Sequence, residues 1–410
     1  MSFKELAQKG INGIRKNNQQ HQMPASSLEL FGRYWKKKNC IYGLCWSIDR
    51  IESIDFIEKL SYTIDSSSCI NILTKDPFVE HNLKQELKYL KNVKVNGFNM
   101  NYDLSAGNPI FYERSARAMD SRTGSKLVYD KHIMNAVNHM SGAFKNTGPY
   151  ITDTTWFQGG ANQGKFRDWL FGKKFGLKTV VLLPSEEFDV DSDKTELCMF
   201  VGEIDYQGDI TIIDYSTKEQ FTYDFRKIGY IIKNKDLAML LPQIQTDTKY
   251  EWKRTKIELK LDKSNGAILK GPLEVKNGKI KVLKKVLLNQ KPEFYYTSEK
   301  YINDWTDVNE TRFVTGYNSG STHADYYKIL KGLIIPPGVV IPGDMWFTYT
   351  VIKKKDAKKH KEHLLSLEVQ QILKHTRTGK SLHTPQTIWI PYITEFKGFT
   401  NEQKEILSRI

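Results

Sequence analysis

A doubly wound α/β sheet followed by a second, mixed α/β or β-rich domain is the architecture that this sequence predicts. Two observations predict it. Short apolar runs alternate with amphipathic runs over most of the first half, the pattern of parallel strands joined by helical crossovers. After Asp214 the character changes: "TKIELKLDKSNGAILKGPLEVKNGKIKVLKKVLL" is lysine-rich and β-leaning, with Ser-Asn-Gly and Asn-Gly turn signals. The boundary falls between roughly Leu183 and Tyr230, which gives domains 1–214 and 215–410.

The elements follow in order. "KKNCIYGL" (Lys37–Leu44) reads as a strand, and "IESIDFIEKLSYTI" carries Ile51, Ile54, Ile57 and Leu60 at helical spacing. "CINIL" is strand-like, "FVEHNLKQELKYLKN" is an amphipathic helix, and "VKVNGF" and "YDLSAGNPIF" supply two further strands. Helix "KLVYDKHIMNAVNHM", strand "PYITDTT", helix "GKFRDWLFGKK" and strand "KTVVLLP" continue the alternation. In such sheets ligands bind outside the carboxyl ends of the strands. The lysine run "IKKKDAKKHKEH" (Ile352–His363) admits two readings, a solvated helix start or a face that contacts phosphates.

Bulk properties bound the function. The chain has 410 residues, 40% of them hydrophobic and 26% charged, an ordinary globular balance. No run of about 18 apolar residues is present, and "MSFKELAQKGINGIRKNNQQ" has no apolar signal core, so a cytoplasmic protein without membrane contact is expected. In a viral setting that means the cytoplasm of the host. Cys40, Cys45, Cys69 and Cys198 form no C-x-x-C pair and no zinc spacing, so buried thiols and no metal are expected. Lysine and arginine number 61 against 47 acids, a net charge of +14. That excess favours a polyanionic partner, because neutralising phosphates releases counterions.

"GNPIF" (Gly107–Phe111) ends an apolar strand with an Asn-Pro step and an aromatic residue two places on. It can be a plain strand exit, since Asn-Pro starts turns. It can also be a clamp for a planar base. The Asn108 side-chain oxygen and the Pro109 carbonyl can accept both hydrogens of an exocyclic amine, and Phe111 can stack on the ring. An enzyme that modifies a base in duplex DNA must flip it out and hold it in this way.

The segment resembles the Asn-Pro-Pro-aromatic motif of adenine-specific (N6) DNA methyltransferases of the type II restriction-modification kind. "KLVYDKHIMNAV", "YITDTTWFQGGANQGKFRDWLF" and "KTVVLLPSEEFDVDSDKTELCMFVGE" are similar to the segments that follow the motif in that family. "GVVIPGDMWFTYTVIKKKDAKKHKEHLLSLEVQQILK" and "SLHTPQTIWIPYITEFKGFTNEQ" resemble the end of its target-recognition half. The resemblance spans approximately Ile70 to Gln403. It implies a methyltransferase-like, Rossmann-type catalytic domain, double-stranded DNA as partner, and S-adenosylmethionine as donor. It further implies Asn108, Pro109 and Phe111 as catalytic residues and Phe200 as a wall of the base pocket.

Two departures stand out. The second proline of the motif is Ile110 here. The glycine-rich donor loop is replaced by "GLCWSIDR" (Gly43–Arg50), which leaves Gly43 as its one glycine and Asp76, after the second strand, as the candidate grip on a ribose. The basic residues Arg114, Arg117, Arg122 and Lys126 follow the clamp, where a phosphate backbone is expected to pass. Two alternatives stay open: a transferase using another donor, such as a nucleotide-sugar, and an inactive DNA-binding homologue or subunit.

Overall fold

The computed structural model describes residues 39–46, 51–73, 77–96, 101–109, 112–114, 125–127, 129–142, 145–158, 164–172, 175–183, 197–254, 277–285, 293–299, 302, 305–316, 332–341, 347–376 and 389–410. The chain divides into two units, residues 1–226 and 227–410.

In the first unit, apolar strands and helical crossovers build a mixed sheet, parallel where its strands come from residues 41–153. It begins with β1 (Ile41–Trp46), α1 (Ile51–Thr63), β2 (Cys69–Leu73), α2 (Pro77–Glu86) and β3 (Val93–Val95). Next come β4 (Leu104–Asn108), the hairpin of β5 (Tyr112–Arg114) and β6 (Ser125–Leu127), and α3 (Tyr129–Asn138). The unit continues through β7 (Tyr150–Asp153), α4 (Gly164–Leu170), β8 (Phe175–Leu183), β9 (Leu197–Ile204), β10 (Ile210–Asp214) and β11 (Gln220–Tyr223). Among the described residues the main sheet has nine strands in the order β11-β10-β8-β9-β7-β4-β1-β2-β3.

Winding reverses at β1. The chain steps outward through β2 to β3, then returns to lay β4 parallel to the other side of β1. β7 extends this side in parallel, and β9 runs antiparallel between β7 and β8. Parallel crossovers that leave β1 in two directions make this the doubly wound, Rossmann-type winding that the sequence leads one to expect. Burial follows from that. All four residues of β7 are buried, as in a strand covered on both faces. Tyr129, Ile133, Ala136 and Val137 of α3 are buried at the spacing of one helical face.

One expectation changes. "KLVYDKHIMNAVNHM" is not one helix: Ser125–Leu127 pairs with Tyr112–Arg114, and the helix starts only at Tyr129. The β-leaning "SKL" takes a cross-strand partner, which local helical periodicity cannot reveal. The first unit runs past the β10–β11 hairpin to Arg226, a residue inside the interval Leu183–Tyr230 in which the sequence places the boundary.

The second unit combines β-sheets with helices. Its strands are β12 (Trp252–Arg254), β13 (Ile280–Lys285), β14 (Glu293–Thr297), β15 (Arg312–Gly316), β16 (Gly332–Ile335), β17 (Val339–Val340) and β18 (Phe347–Val351). They form a sheet of order β12-β18-β15-β16 and another of order β14-β13-β17. The helices are α5 (Lys235–Ile244), α6 (Ala357–Leu364), α7 (Leu367–Thr376) and α8 (Asn401–Arg409). Asn234 caps α5 by accepting from the Leu237 amide at 2.9 Å, and a Thr400–Gln403 capping box starts α8. Tyr250, Trp252, Phe313, Leu364, Val369 and Leu373 share one core between sheet and helices. Among the described residues no helix is long and apolar enough to cross a membrane.

Candidate active site at the strand ends

Parallel strands that reverse their winding leave a crevice at their carboxyl ends, where neither crossover covers the edge. Here that crevice lies between β1 and β4. The register pairs Cys45 with Gly107 and Trp46 with Asn108, so both strands end at the same level. Asn108 is thus the last residue of β4, beside the end of β1, and Pro109 follows it in a buried position.

The neighbouring strand fixes this edge. The Gly107 amide donates to the Pro149 carbonyl at 3.0 Å, and the Gly148 amide to the Ser105 carbonyl at 2.7 Å. The Tyr150 hydroxyl donates to Ser105 Oγ at 2.6 Å. Asp153 ends β7 and is 1% exposed; the Tyr129 hydroxyl donates to its Oδ1 at 3.0 Å. The chain that leaves the edge at Pro109 therefore runs through the β5–β6 hairpin and is tied back at Tyr129 to the end of β7. Trp156 Nε1 donates to Thr152 Oγ1 at 2.9 Å, which satisfies a buried indole one turn beyond the strand. Sequence reasoning singled out neither Tyr129 nor Asp153. An aspartate closing the apolar run "YITD" is the signal that marks it.

The predicted site residues fall in different places. In the hairpin, Arg114 stands opposite Ser125 and Lys126 opposite Glu113. Phe111, Asp76, Arg117 and Arg122 lie outside the described residues. Phe200 is 0% exposed, with its ring 5.7 Å from Tyr150, 5.5 Å from Trp156 and 6.1 Å from Phe166. Its pairing with Tyr150, itself paired with Gly107, puts it one level beneath Asn108, inside the aromatic core.

Gly43 lies within β1, three residues before its end, and a Cβ there would stand 2.5 Å from Tyr102 Cδ2. The missing side chain makes room for the Tyr102 ring.

No family model matches the chain, and no curated protein does. Among solved structures it is similar to the type I restriction-modification methyltransferase subunit from Streptococcus thermophilus, with 12% identity and a TM-score of 0.37 over 52% of this chain and 53% of that one. It is also similar to the M protein of the type I restriction enzyme EcoKI, with 11% identity and a TM-score of 0.32 over 47% of each chain. The type IIG restriction endonuclease BpuSI matches 100% of this chain and 63% of its own length, with 10% identity and a TM-score of 0.45. The chain spans about half the length of the first two.

Proposed function

We propose that this chain is a DNA base-modifying transferase that methylates the exocyclic amine of a flipped adenine, with S-adenosylmethionine as donor. One observation carries the proposal: the Asn108-Pro109 step ends β4 directly beside the end of β1, at the point where the winding reverses. The site described by that register has an amine-accepting pair on one strand and a ligand-binding strand end next to it.

The amide oxygen of Asn108 and the carbonyl of Pro109 accept the two amine hydrogens. This holds the nitrogen lone pair away from the ring and ready to attack. Phe111 stacks on the base, an interaction worth about 1–3 kcal/mol. When bound, the donor supplies an electrophilic methyl group. The amine can release its proton after the methyl is attached, so no group with a shifted pKa is needed beforehand. Asp76 is the candidate hold on the donor ribose. Arg114, Arg117, Arg122 and Lys126 contact phosphates, positioning the duplex without reading it. The second unit selects the target sequence. Phe200 supports the strand edge from within the core.

The test is product analysis. Duplex DNA is incubated with the protein and S-adenosylmethionine, then digested to nucleosides for mass spectrometry. N6-methyladenine supports the proposal. A sugar adduct formed only with a nucleotide-sugar donor would replace methylation by glycosyl transfer on the same site. No adduct with any donor, in a protein that binds DNA, would leave the inactive homologue.

A further inference from the structure

Resting on the DNA-directed reading above, we propose that the lysine face of Lys353–Lys361 in the second unit is a docking surface for the phosphate backbone of duplex DNA. Lys353, Lys354, Lys355, Lys358 and Lys359 are all exposed. Lys353 caps a 3-10 turn (Lys354–Asp356) that holds Lys354 and Lys355 and leads directly into α6, whose first turn carries Lys358 and Lys359.

The lysines do not serve the helix that carries them. Cations in a first turn oppose the helix dipole, each by a few tenths of a kcal/mol or more. The first turn of α6 has no acid, and Asp356 at its N-cap makes no side-chain capping bond. The one ion pair among the described residues of this helix, Lys358 to Glu362, is 3.8 Å long between side chains 90% and 65% exposed. Such pairs contribute little. A solvated helix start would place acids here and lysines at the far end.

The opposite face is fixed to the core. His360, His363 and Leu364 are buried. His360 Nδ1 lies 3.0 Å from the Tyr250 hydroxyl, and His363 Nε2 donates to the Pro391 carbonyl at 2.8 Å. The lysines are therefore presented from a backbone that is held in place, not from a loop. The 3-10 turn rises about 2 Å per residue and α6 about 1.5 Å, so the lysines from residue 354 to 361 are spread along roughly 12 Å of backbone. That is close to the ~12 Å width of the major groove, so cations at the two ends can meet the phosphate strands flanking it. Lysine offers point charges and no bidentate fork, which suits phosphates rather than base edges.

The test is the salt dependence of binding to a fluorescein-labelled duplex, read by anisotropy on the full chain. Removing one cation that neutralises a phosphate lowers the log–log salt slope by about one. Combined Lys354→Gln, Lys355→Gln, Lys358→Gln and Lys359→Gln should reduce the slope by roughly three to four and weaken binding at least about tenfold near 100 mM salt. Its melting temperature should not fall, because the replaced cations oppose the dipole. A charge-matched variant of the first unit, Lys59→Gln, Lys84→Gln, Lys88→Gln and Lys91→Gln, should keep its slope within about one of wild type.

An unchanged slope, or equal weakening in both variants, would overturn the docking surface. So would a defect confined to phosphatidylserine vesicles or to single-stranded RNA with duplex binding intact. The nucleoside assay keeps the two failures apart: DNA still methylated by a protein whose slope ignores the lysine face leaves the catalytic proposal standing alone.

Discussion

In the first unit the buried polar groups are mainly hydroxyls, with an indole and the carboxyl of Asp153, along apolar strands, whereas the second unit buries basic groups, two histidines and an arginine, inside its core. The first unit pairs Asp153 with Tyr129, Thr152 with Trp156 and Ser105 with Tyr150, each through a hydroxyl or an indole. In the second unit His360 and Arg312 are 0% and 1% exposed, and Arg312 donates to the Val339 carbonyl. Burial lowers the pKa of His360, His363 and Arg312. Asp307 goes the other way. Its partial burial favours the neutral acid, but Lys253 at 2.8 Å and the Tyr349 hydroxyl at 2.9 Å outweigh that and hold its pKa down. The strand edge proposed as the site in the first unit is therefore set by backbone register, and the second unit has a frame held by neutral or paired side chains.

The largest expected structural effect sharpens that contrast. Phe200→Ala should cost about 3–5 kcal/mol of stability, as for any fully packed aromatic ring, read as a fall in melting temperature. A variant of wild-type stability with weakened capture of the base would make Phe200 a pocket residue after all.

Gly43→Ala should cost about 1–3 kcal/mol, because the new methyl must displace the Tyr102 ring from the sheet. The measurement is a denaturant titration. An alanine tolerated at full stability would mean that the strand needs no glycine there.

The third effect is a slope with pH. His375 is lowered to about 4 by burial, then by Lys374 and Lys233. Histidines depressed below their ordinary 6.5 bind fewer protons folded than unfolded, so stability is complete above about 6.5 and falls as pH drops toward 4. Hydrogen-exchange protection, corrected for the slower intrinsic exchange at low pH, should fall from pH 7 to 5 in α6 and α7 more than in β4 and β7. Equal loss of protection in both units would erase the contrast.

Much of this was legible in the sequence. The strand–helix alternation implied the sheet because parallel strands need helical crossovers, and "GNPIF" marked a strand end because proline cannot continue a central strand. The packing of Gly43 and Phe200 was not legible for one shared reason. Each is decided by what packs against it, the Tyr102 ring and the Trp156 cluster, and those neighbours are distant in the chain. The buried His360 and His363 were invisible inside a lysine run whose charges set its average. Asp153 and Tyr129 lay in plain view, but only the sheet register brings them to one edge.

Asn108, acting in the chemical step at the end of β4, is the residue on which the proposed activity depends most. Single-turnover methylation and duplex binding measured side by side for wild type and Asn108→Ala test this directly. The expected result is a rate lower by about a hundredfold or more, as when one preorganised polar contact to the reacting group is removed, with duplex affinity unchanged. Full activity in Asn108→Ala would contradict that role and reduce the motif to a turn.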